Sequence, residues 1–533
     1  LSNIKKSDKI NIIYRNKNIK DNISELSNFR RICKIKKIKL FIANNIDLCK
    51  FLKADGIYIS ASNVNLNFRK YKNLNFQIIG SAHNKREILI KKHQGCSEII
   101  FSRLFKTSYK FKKDYLGVVK FNYYEDLFSP CLTAQLLIVS SGGATQTDVK
   151  KGESGETIEN VYSGLPIRGG ERVKIKIKPN TEKNAALEFD TPEKYFYVSN
   201  VSKQFSDGSK EIFTLDLVSR EAITNETSRV VKRYPKESKI SDHVKTIIQD
   251  RLASTIEDED IDETVNKYGF IGNLKKPFHV LVWLASKSKP KKGLPGYFFY
   301  QTKDGFKFKS IDSLIEDGNN SEKITYRETN FKPSSVLSDV ADFTILQYNV
   351  VQNNDLLTKL ALGQFSSHIM EFDPLLGTFT TQEQGKFTLD DITSESINLG
   401  ETPEVPKLLN DDTTQNLGTL PSRMITMVTD RGVLDFEPVT DKNSDPKLWQ
   451  RQAYMRYQLL FTQVLNMVVP LNTNLSVGNI IFVEFLQSNM ESKERDRQQS
   501  GSYMIKELCH HFDPNQSLTS MTLIRDTFGE ISQ

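Results

Sequence analysis

Three neighbours, Cys509-His510-His511, have the strongest claim to chemistry, because a thiol and two imidazoles are common zinc ligands. Their spacing defeats that use. Adjacent side chains on a strand point to opposite faces, so all three cannot reach one ion. Ser140-Ser141-Gly142-Gly143 offers hydroxyl nucleophiles but lacks the G-x-S-x-G spacing of a nucleophile elbow. The acidic run Glu257–Glu263 lacks the glycine and alternating oxygen ligands of a calcium loop, and reads as a solvated linker. His243, His279 and His368 are isolated and read as structural. The five cysteines (Cys33, Cys49, Cys96, Cys131, Cys509) are odd in number and lack C-x-x-C spacing, which predicts free buried thiols in a reducing compartment. No Gly-rich phosphate loop occurs. These residues predict no catalytic group, no metal site and no cofactor.

The elements that carry these residues fall into two parts. Residues 1–122 hold 27 basic and 8 acidic residues, whereas the remainder holds 46 and 57, so the net +8 of the 533-residue chain describes neither part. All 17 prolines lie after the seam. The lysines of the first part are scattered and lack an aromatic stacking platform, which argues against nucleic-acid binding. No apolar run approaches the ~18 residues of a membrane span, and the polar, basic start lacks the apolar core of a signal peptide. No membrane anchor is expected.

Within 1–122, brief β-branched runs at Ile10–Tyr14, Leu40–Ala43, Gly56–Ile59, Phe76–Gly80 and Glu98–Phe101 predict buried strands. Amphipathic stretches at Ile23–Lys34, Asp47–Lys53 and Lys85–His93 predict helices between them. This alternation implies a parallel sheet, three strands short of a closed eight-stranded barrel.

After the seam the period changes to two. Val173, Ile175 and Ile177 alternate with lysines, and Phe213, Leu215 and Leu217 repeat the pattern. Tyr297–Thr302 and Phe306–Phe308 flank Lys303-Asp304-Gly305, a hairpin signal. Asn479–Phe485, Ser502–Leu508 and Thr519–Arg525 predict a closing meander. Two helices are expected. One is capped by Ser241 and buries Val244, Ile247, Ile248 and Leu252; the other runs over Leu448–Val468. Gly142–Gly155 and Asp390–Thr414 read as exposed loops.

Two resemblances follow from motif order. Tyr14-Arg15-Asn16-Lys17, Ala43-Asn44-Asn45, Ala54-Asp55-Gly56-Ile57-Tyr58-Ile59, Ile79-Gly80-Ser81-Ala82-His83-Asn84 and Phe105-Lys106-Thr107-Ser108-Tyr109-Lys110 occur in the order of the strand ends of thiamine phosphate synthases. The first part resembles a truncated member of that TIM-barrel family. The resemblance implies vestigial phosphate contacts at Arg15, Lys17, Ser81, Thr107 and Lys110. It also places Asn45 and Asn63 where the family has two magnesium aspartates. An amide brings no charge to a hard cation, so magnesium affinity should collapse.

Tyr124-Glu125-Asp126-Leu127-Phe128-Ser129-Pro130-Cys131-Leu132-Thr133-Ala134-Gln135 and Gly169-Gly170-Glu171 open the second part. Thr214-Leu215-Asp216-Leu217-Val218-Ser219-Arg220-Glu221, the stretch from Trp283 to Phe306, and Ser500-Gly501-Ser502-Tyr503-Met504-Ile505 with Leu523-Ile524-Arg525-Asp526 follow in order. This part resembles the central baseplate hub protein of T4-like contractile-tailed phages, which is related to type VI secretion spike proteins. The resemblance implies a homotrimer with two similar β-barrels per subunit, set between tail-tube subunits and a central spike trimer in the virion tail, after assembly in the host cytoplasm. DNA would pass its bore without specific binding, which the acidic balance suits.

The expected fold is thus multidomain: a truncated parallel β/α segment (1–122), then a mainly β, two-barrel architecture. Its parts are a first barrel (123–235), a helix and hairpin region (236–320), a second barrel (321–400), and a linker, long helix and meander (401–533). Leu116–Asn122 is apolar enough to supply the first barrel's opening strand. Two other readings remain: a thiamine phosphate synthase-like enzyme or phosphate-binding protein acting through 1–122, and a different β-rich assembly or secretion-spike protein.

Overall fold

The computed structural model describes residues 11–15, 23–71, 76–82, 85–101, 115–141, 145–146, 158–159, 167–178, 183–207, 210–328, 342–352, 355–379, 385–393, 397–400, 417–430, 443, 446–487 and 495–529. The chain divides into two compact units, Leu1–Phe111 and Lys112–Gln533.

In the first unit, strands β1 (Asn11–Tyr14), β2 (Lys39–Ala43), β3 (Gly56–Ile59), β4 (Gln77–Ala82) and β5 (Glu98–Phe101) lie side by side in that order, all parallel. Helices α1 (Ile23–Ile35), α2 (Ile46–Phe51) and α3 (Lys85–His93) make crossovers. Each predicted element is present within a residue or two. The central strands β2 and β3 are buried on both faces: Leu40, Phe41, Ile42, Ile57, Tyr58 and Ile59 are all core residues. Gly56 is required at its place, since an added Cβ would lie 2.2 Å from the Gln77 carbonyl oxygen.

The second unit is mainly antiparallel. Strands β6 (Tyr115–Asp126), β7 (Thr133–Ser141), β8 (Arg172–Val173), β9 (Phe196–Asp207) and β10 (Lys210–Ser219) come first. Helices α4 (Ile240–Leu252) and α5 (Pro277–Ala285) precede a hairpin, β11 (Tyr297–Thr302) and β12 (Gly305–Ser310), and helix α6 (Ile311–Asn320). Then follow β13 (Thr325–Arg327), β14 (Gln347–Gln352), β15 (Ser366–Asp373), β16 (Thr378–Phe379), β17 (Lys386–Thr388) and β18 (Arg423–Val428). Helix α7 (Pro446–Leu459), β19 (Gln463–Pro470), β20 (Ile480–Glu484), β21 (Gly501–Phe512) and β22 (Ser517–Arg525) complete the chain.

Eleven of these strands form one sheet, ordered β8-β9-β10-β7-β6-β21-β22-β19-β14, with β20 also on β21 and β13 on β20. Strand β21 joins its halves. Its first residues pair with β20 and its last with β6, while β22 runs along its other side. Two hydrophobic cores lie along the sheet, one under β6, β7, β9 and β10 and one under β19–β22. A third joins α4 and α5 to the β11–β12 hairpin.

The period-two pattern marked real strands: Phe213, Leu215 and Leu217 are buried, and Gly305 takes φ +135° where the hairpin turns. The expected opening strand is also present, as Leu116–Asn122 lies inside β6 and pairs with β7.

Four local expectations need correction. Helix α7 ends at Leu459, and Val464, Leu465, Met467 and Val469 belong to β19. Those residues satisfy both periods, and pairing along β22 decides for the strand. Ser241 lies inside α4, where its backbone N–H donates to Thr264 Oγ1 at 3.0 Å; Lys239 holds the N-cap position. The acidic run is not a free linker. Asp258 and Asp260 form a 3₁₀ turn, Asp262 pairs with Lys309 at 3.2 Å, and Asp258, Asp260 and Glu263 pair with Lys245, Lys307 and Lys239. Asp390–Thr393 is a helical turn with Ile392 buried, and Leu399 is buried too; residues 401–416 lie outside the described part.

Candidate functional sites

The carboxyl ends of a parallel sheet are where such folds place ligands. In the first unit those ends carry a neutral amide and hydroxyl cluster. Asn44, held at φ +56°, accepts at Oδ1 from the Ser60 N–H (3.0 Å) and from Asn63 Nδ2 (3.1 Å), and donates from Nδ2 to Ser60 Oγ (2.9 Å). Asn45 Oδ1 accepts from the Leu48 N–H at 2.9 Å and so caps α2; Asn63 Oδ1 accepts from the Asn65 N–H at 3.0 Å. The oxygens that would replace magnesium carboxylates therefore already serve the backbone.

Of the five candidate phosphate contacts, two fall among the described residues, Arg15 and Ser81. Arg15 lies with its guanidinium carbon 4.4 Å from the Tyr58 ring centroid and donates to the Tyr58 hydroxyl. Ser81 is buried in β4. Lys17, Thr107 and Lys110 lie outside the described residues. A cation that the sequence did not single out, Lys91, is buried and donates to the Asn63 carbonyl (2.6 Å) and Gln94 Oε1 (2.9 Å). Desolvation pulls its pKa down.

This arrangement predicts that the chain gives no binding isotherm with magnesium pyrophosphate. The double variant Asn45→Asp, Asn63→Asp should acquire measurable magnesium affinity, because aspartate restores charge and still caps α2. Isothermal titration calorimetry of both proteins checks this; tight binding by the unaltered chain would contradict it.

In the second unit the notable polar centre is a buried carboxylate. Phe121, Tyr123 and Glu125 occupy one face of β6 by its period of two, Leu127 follows in the turn, and all four are buried. Glu125 Oε1 accepts from the Tyr123 hydroxyl (2.6 Å) and the Lys303 N–H (3.0 Å), and Oε2 accepts from the Val477 N–H (2.9 Å). One side chain thus ties β6 to the hairpin turn after β11 and to the loop before β20. Burial pushes its pKa up, against the pull of these hydrogen bonds. The Lys303 ammonium, half-buried, has its pKa lowered by desolvation and donates to the Thr473 carbonyl.

His510 stacks on Tyr123 (centroids 6.0 Å, 13° between planes), and its Nδ1 lies 3.0 Å from Thr519 Oγ1. Burial depresses its pKa to about 3, so the imidazole is neutral at pH 7. His511 points the other way, toward Asn122 Oδ1 (2.6 Å), as strand alternation requires. For a base with a depressed folded pKa, stability is full above its unfolded value near 6.5 and is lost as pH falls toward 3. Urea unfolding from pH 7 to pH 4 should show this fall, and His510→Phe should flatten it.

A second buried connector is Gln301. Its Oε1 accepts from the Leu132 N–H (3.1 Å) and Ser219 Oγ (2.9 Å), and its Nε2 donates to Glu221 Oε2 (3.2 Å). A third is the ion pair of Arg456 Nη2 with Asp312 Oδ1 at 2.7 Å, both side chains almost fully enclosed.

A groove of about 560 Å³ near these groups is crossed by β6, β14, β19, β21 and β22. Its thiols, Cys131 and Cys509, are both driven up in pKa by burial, the latter to about 11, so neither is a thiolate at pH 7. Among the described residues no three His, Cys, Asp or Glu side chains are grouped to hold a metal ion, and no helix is long and apolar enough to cross a membrane.

Sequence reasoning weighed His510 only as a metal ligand and Lys303 only as part of a turn, and gave the side chains of Glu125, Gln301 and Asp312 no role of their own. A signal existed for Glu125: an acid at the third position of an otherwise apolar alternating face.

Comparison with known proteins finds two kinds of relative. The thiamine monophosphate synthase family profile matches residues 7–152, extending past the first unit into β6 and β7. Among solved structures, the 43 kDa tail protein of prophage MuSo2 from Shewanella oneidensis is similar at 9% identity and TM-score 0.42, covering 77% of this chain and 95% of that one. A tail protein from Neisseria meningitidis MC58 is similar at 8% identity and TM-score 0.41, covering 77% and 92%. An E. coli component of the type VI secretion system is similar at 9% identity and TM-score 0.36, covering 79% and 78%. No curated protein matches the chain. Both kinds of protein that the sequence resembles thus recur among the proteins to which it is similar.

Proposed function

We propose that residues 112–533 are a structural subunit of a phage tail baseplate hub, adapting a sixfold tail tube to a threefold central spike. The subunit is not an enzyme; it acts as a homotrimer with two barrels per chain, placed in the virion tail after assembly in the host cytoplasm. Its partners are a spike trimer and tail-tube subunits, and DNA traverses the bore without specific contacts. The observation that carries this reading is the eleven-stranded sheet, which unites residues 115–219 with residues 325–525 over two cores. Its buried acids, amides and ion pairs join one element to another, as a rigid frame requires. The ordered run of hub-like segments from Tyr124 to Asp526 supplies the identity of the frame.

The first part catalyses nothing in this reading and is a non-functional fusion. The alternative, a phosphate-binding or thiamine phosphate synthase-like role, draws on the family profile over residues 7–152. The magnesium pyrophosphate titration separates the two.

Light scattering on the full chain tests the hub directly. The expected native mass is three times that of one chain. A folded monomer at all concentrations would overturn the reading. Removing residues 1–122 is not an equivalent test, because β6 begins at Tyr115 and would be cut.

A further inference from the structure

The small sheet built on β15 has one covered face and one bare face. Strands β16 and β17 pair with β15 on one side and β18 pairs on the other. Along β15, Ile369, Glu371 and Asp373 are buried, while Met370 and Phe372 between them are about half exposed. Register places Phe379 and Val428 on either side of Phe372, and Met424 beside His368, so these side chains share the Met370 face. The resulting plane of Met370, Phe372, Phe379, Met424 and Val428 is 46–68% exposed, and the exposed Lys386, paired with His368, edges it.

Leu375 and Leu376 adjoin the plane, in a turn where both backbone N–H groups donate to Asp373 Oδ1. At roughly 200 Å² per residue these seven expose on the order of 800 Å². That exceeds the about 300–600 Å² of the largest patch on a typical monomer, and equals one partner's share of a standard interface, about 800 Å².

A second apolar strip runs along β14, the last strand of the large sheet. Tyr348 and Val350 stand opposite the buried Met467 and Leu465, yet each is 37% exposed. Leu346 and Val351 are exposed beside them, and the strand Gln347–Gln352 carries no charge. Among the described residues β14 pairs only with β19, and β18 only with β15. Among the described residues each is a six-residue edge of its sheet, the kind of strand that can take another.

We propose that the β15–β18 face of one copy docks on the β14 strip of the next, head to tail, and so closes the homotrimer. The number three rests on the hub reading. A second copy fits because the two surfaces carry opposite charges at their edges, Lys386 opposite His368 on the face and Glu328 against the Tyr348 hydroxyl on the strip. Another copy also brings both surfaces in equal number. Two different patches used head to tail close a ring, whereas one self-complementary patch would stop at a dimer.

The test uses the full chain and two variants at exposed positions. Face variant Phe372→Lys, Phe379→Lys and strip variant Leu346→Lys, Val351→Lys should each be monomeric by light scattering, against a trimeric parent. Mixed one to one, they should form a heterodimer and nothing larger, because only one intact face meets one intact strip. Independently, Val428→Cys with Val351→Cys in one chain should cross-link the parent assembly between subunits, even if a lysine variant misfolds. A trimeric parent whose folded variants stay trimeric overturns this interface and leaves the hub reading standing. Dissociation of only one folded variant overturns the interface in the same way. A monomeric parent overturns both.

Discussion

Glu125→Ala is expected to lower the stability of the 112–533 unit by about 4 kcal/mol, read as a lower urea midpoint at unchanged slope. The substitution leaves three enclosed donors without an acceptor: the Tyr123 hydroxyl and the N–H groups of Lys303 and Val477. Each costs about 1–3 kcal/mol when orphaned, and relief of the buried charge offsets part of the sum. Glu125→Gln should cost less, about 2 kcal/mol, because its amide oxygen keeps two donors and only the Val477 N–H meets another donor. Both tryptophans, Trp283 and Trp449, lie in this unit, so their fluorescence follows its unfolding alone.

The pH dependence has a definite sign. The folded pKa of Glu125 lies above its ordinary 4.5, so the stability it contributes is full below pH 4.5 and declines as pH rises through the folded value. The difference between the parent and Glu125→Gln should therefore shrink as pH rises from 4.5. A difference that grows would show that the carboxylate is stabilised by its partners more than burial penalises it.

Asp312→Ala is the second large effect, expected at about 3–5 kcal/mol. Asp312 and Arg456 are enclosed together, and Asp312 Oδ2 also accepts from the Leu294 N–H at 2.7 Å. Removing the acid leaves a guanidinium buried without its counter-charge. Gly293 explains why the acid fits, as a Cβ there would lie 2.2 Å from Asp312 Oδ2. The double variant Asp312→Leu, Arg456→Met should lose less than Asp312→Ala alone, since it removes the guanidinium that Asp312→Ala leaves unpaired. A double variant as unstable as the sum of the singles would refute the buried-pair account.

The sequence revealed most where pattern and environment agree. In the first unit each strand is a brief apolar run between polar turns, and the longest helix, α1, has an amphipathic stripe. Local signals therefore located the five strands and three α-helices described there, though not the 3₁₀ turn at Leu66–Tyr71. The hairpin at Lys303-Asp304-Gly305 was equally legible, because its turn needs a glycine at positive φ. Residues 459–470 were not, since Leu465 and Val469 fit both a helical stripe and an alternating strand. Only the partner strand β22, some fifty residues later, decides between them. The same distance hides the polar centres. Glu125 meets donors from Lys303 and Val477, and Asp312 meets Arg456, pairs no local spacing can disclose. The acidic run misled for a related reason: its lysine partners lie on α4 and β12, outside its own segment.

Electron microscopy of the purified full chain tests the central claim most directly. The account predicts end-on views with threefold symmetry and six similar lobes around an open bore, two lobes from each subunit. Single particles without symmetry, or a closed ring of any number other than three, would contradict it.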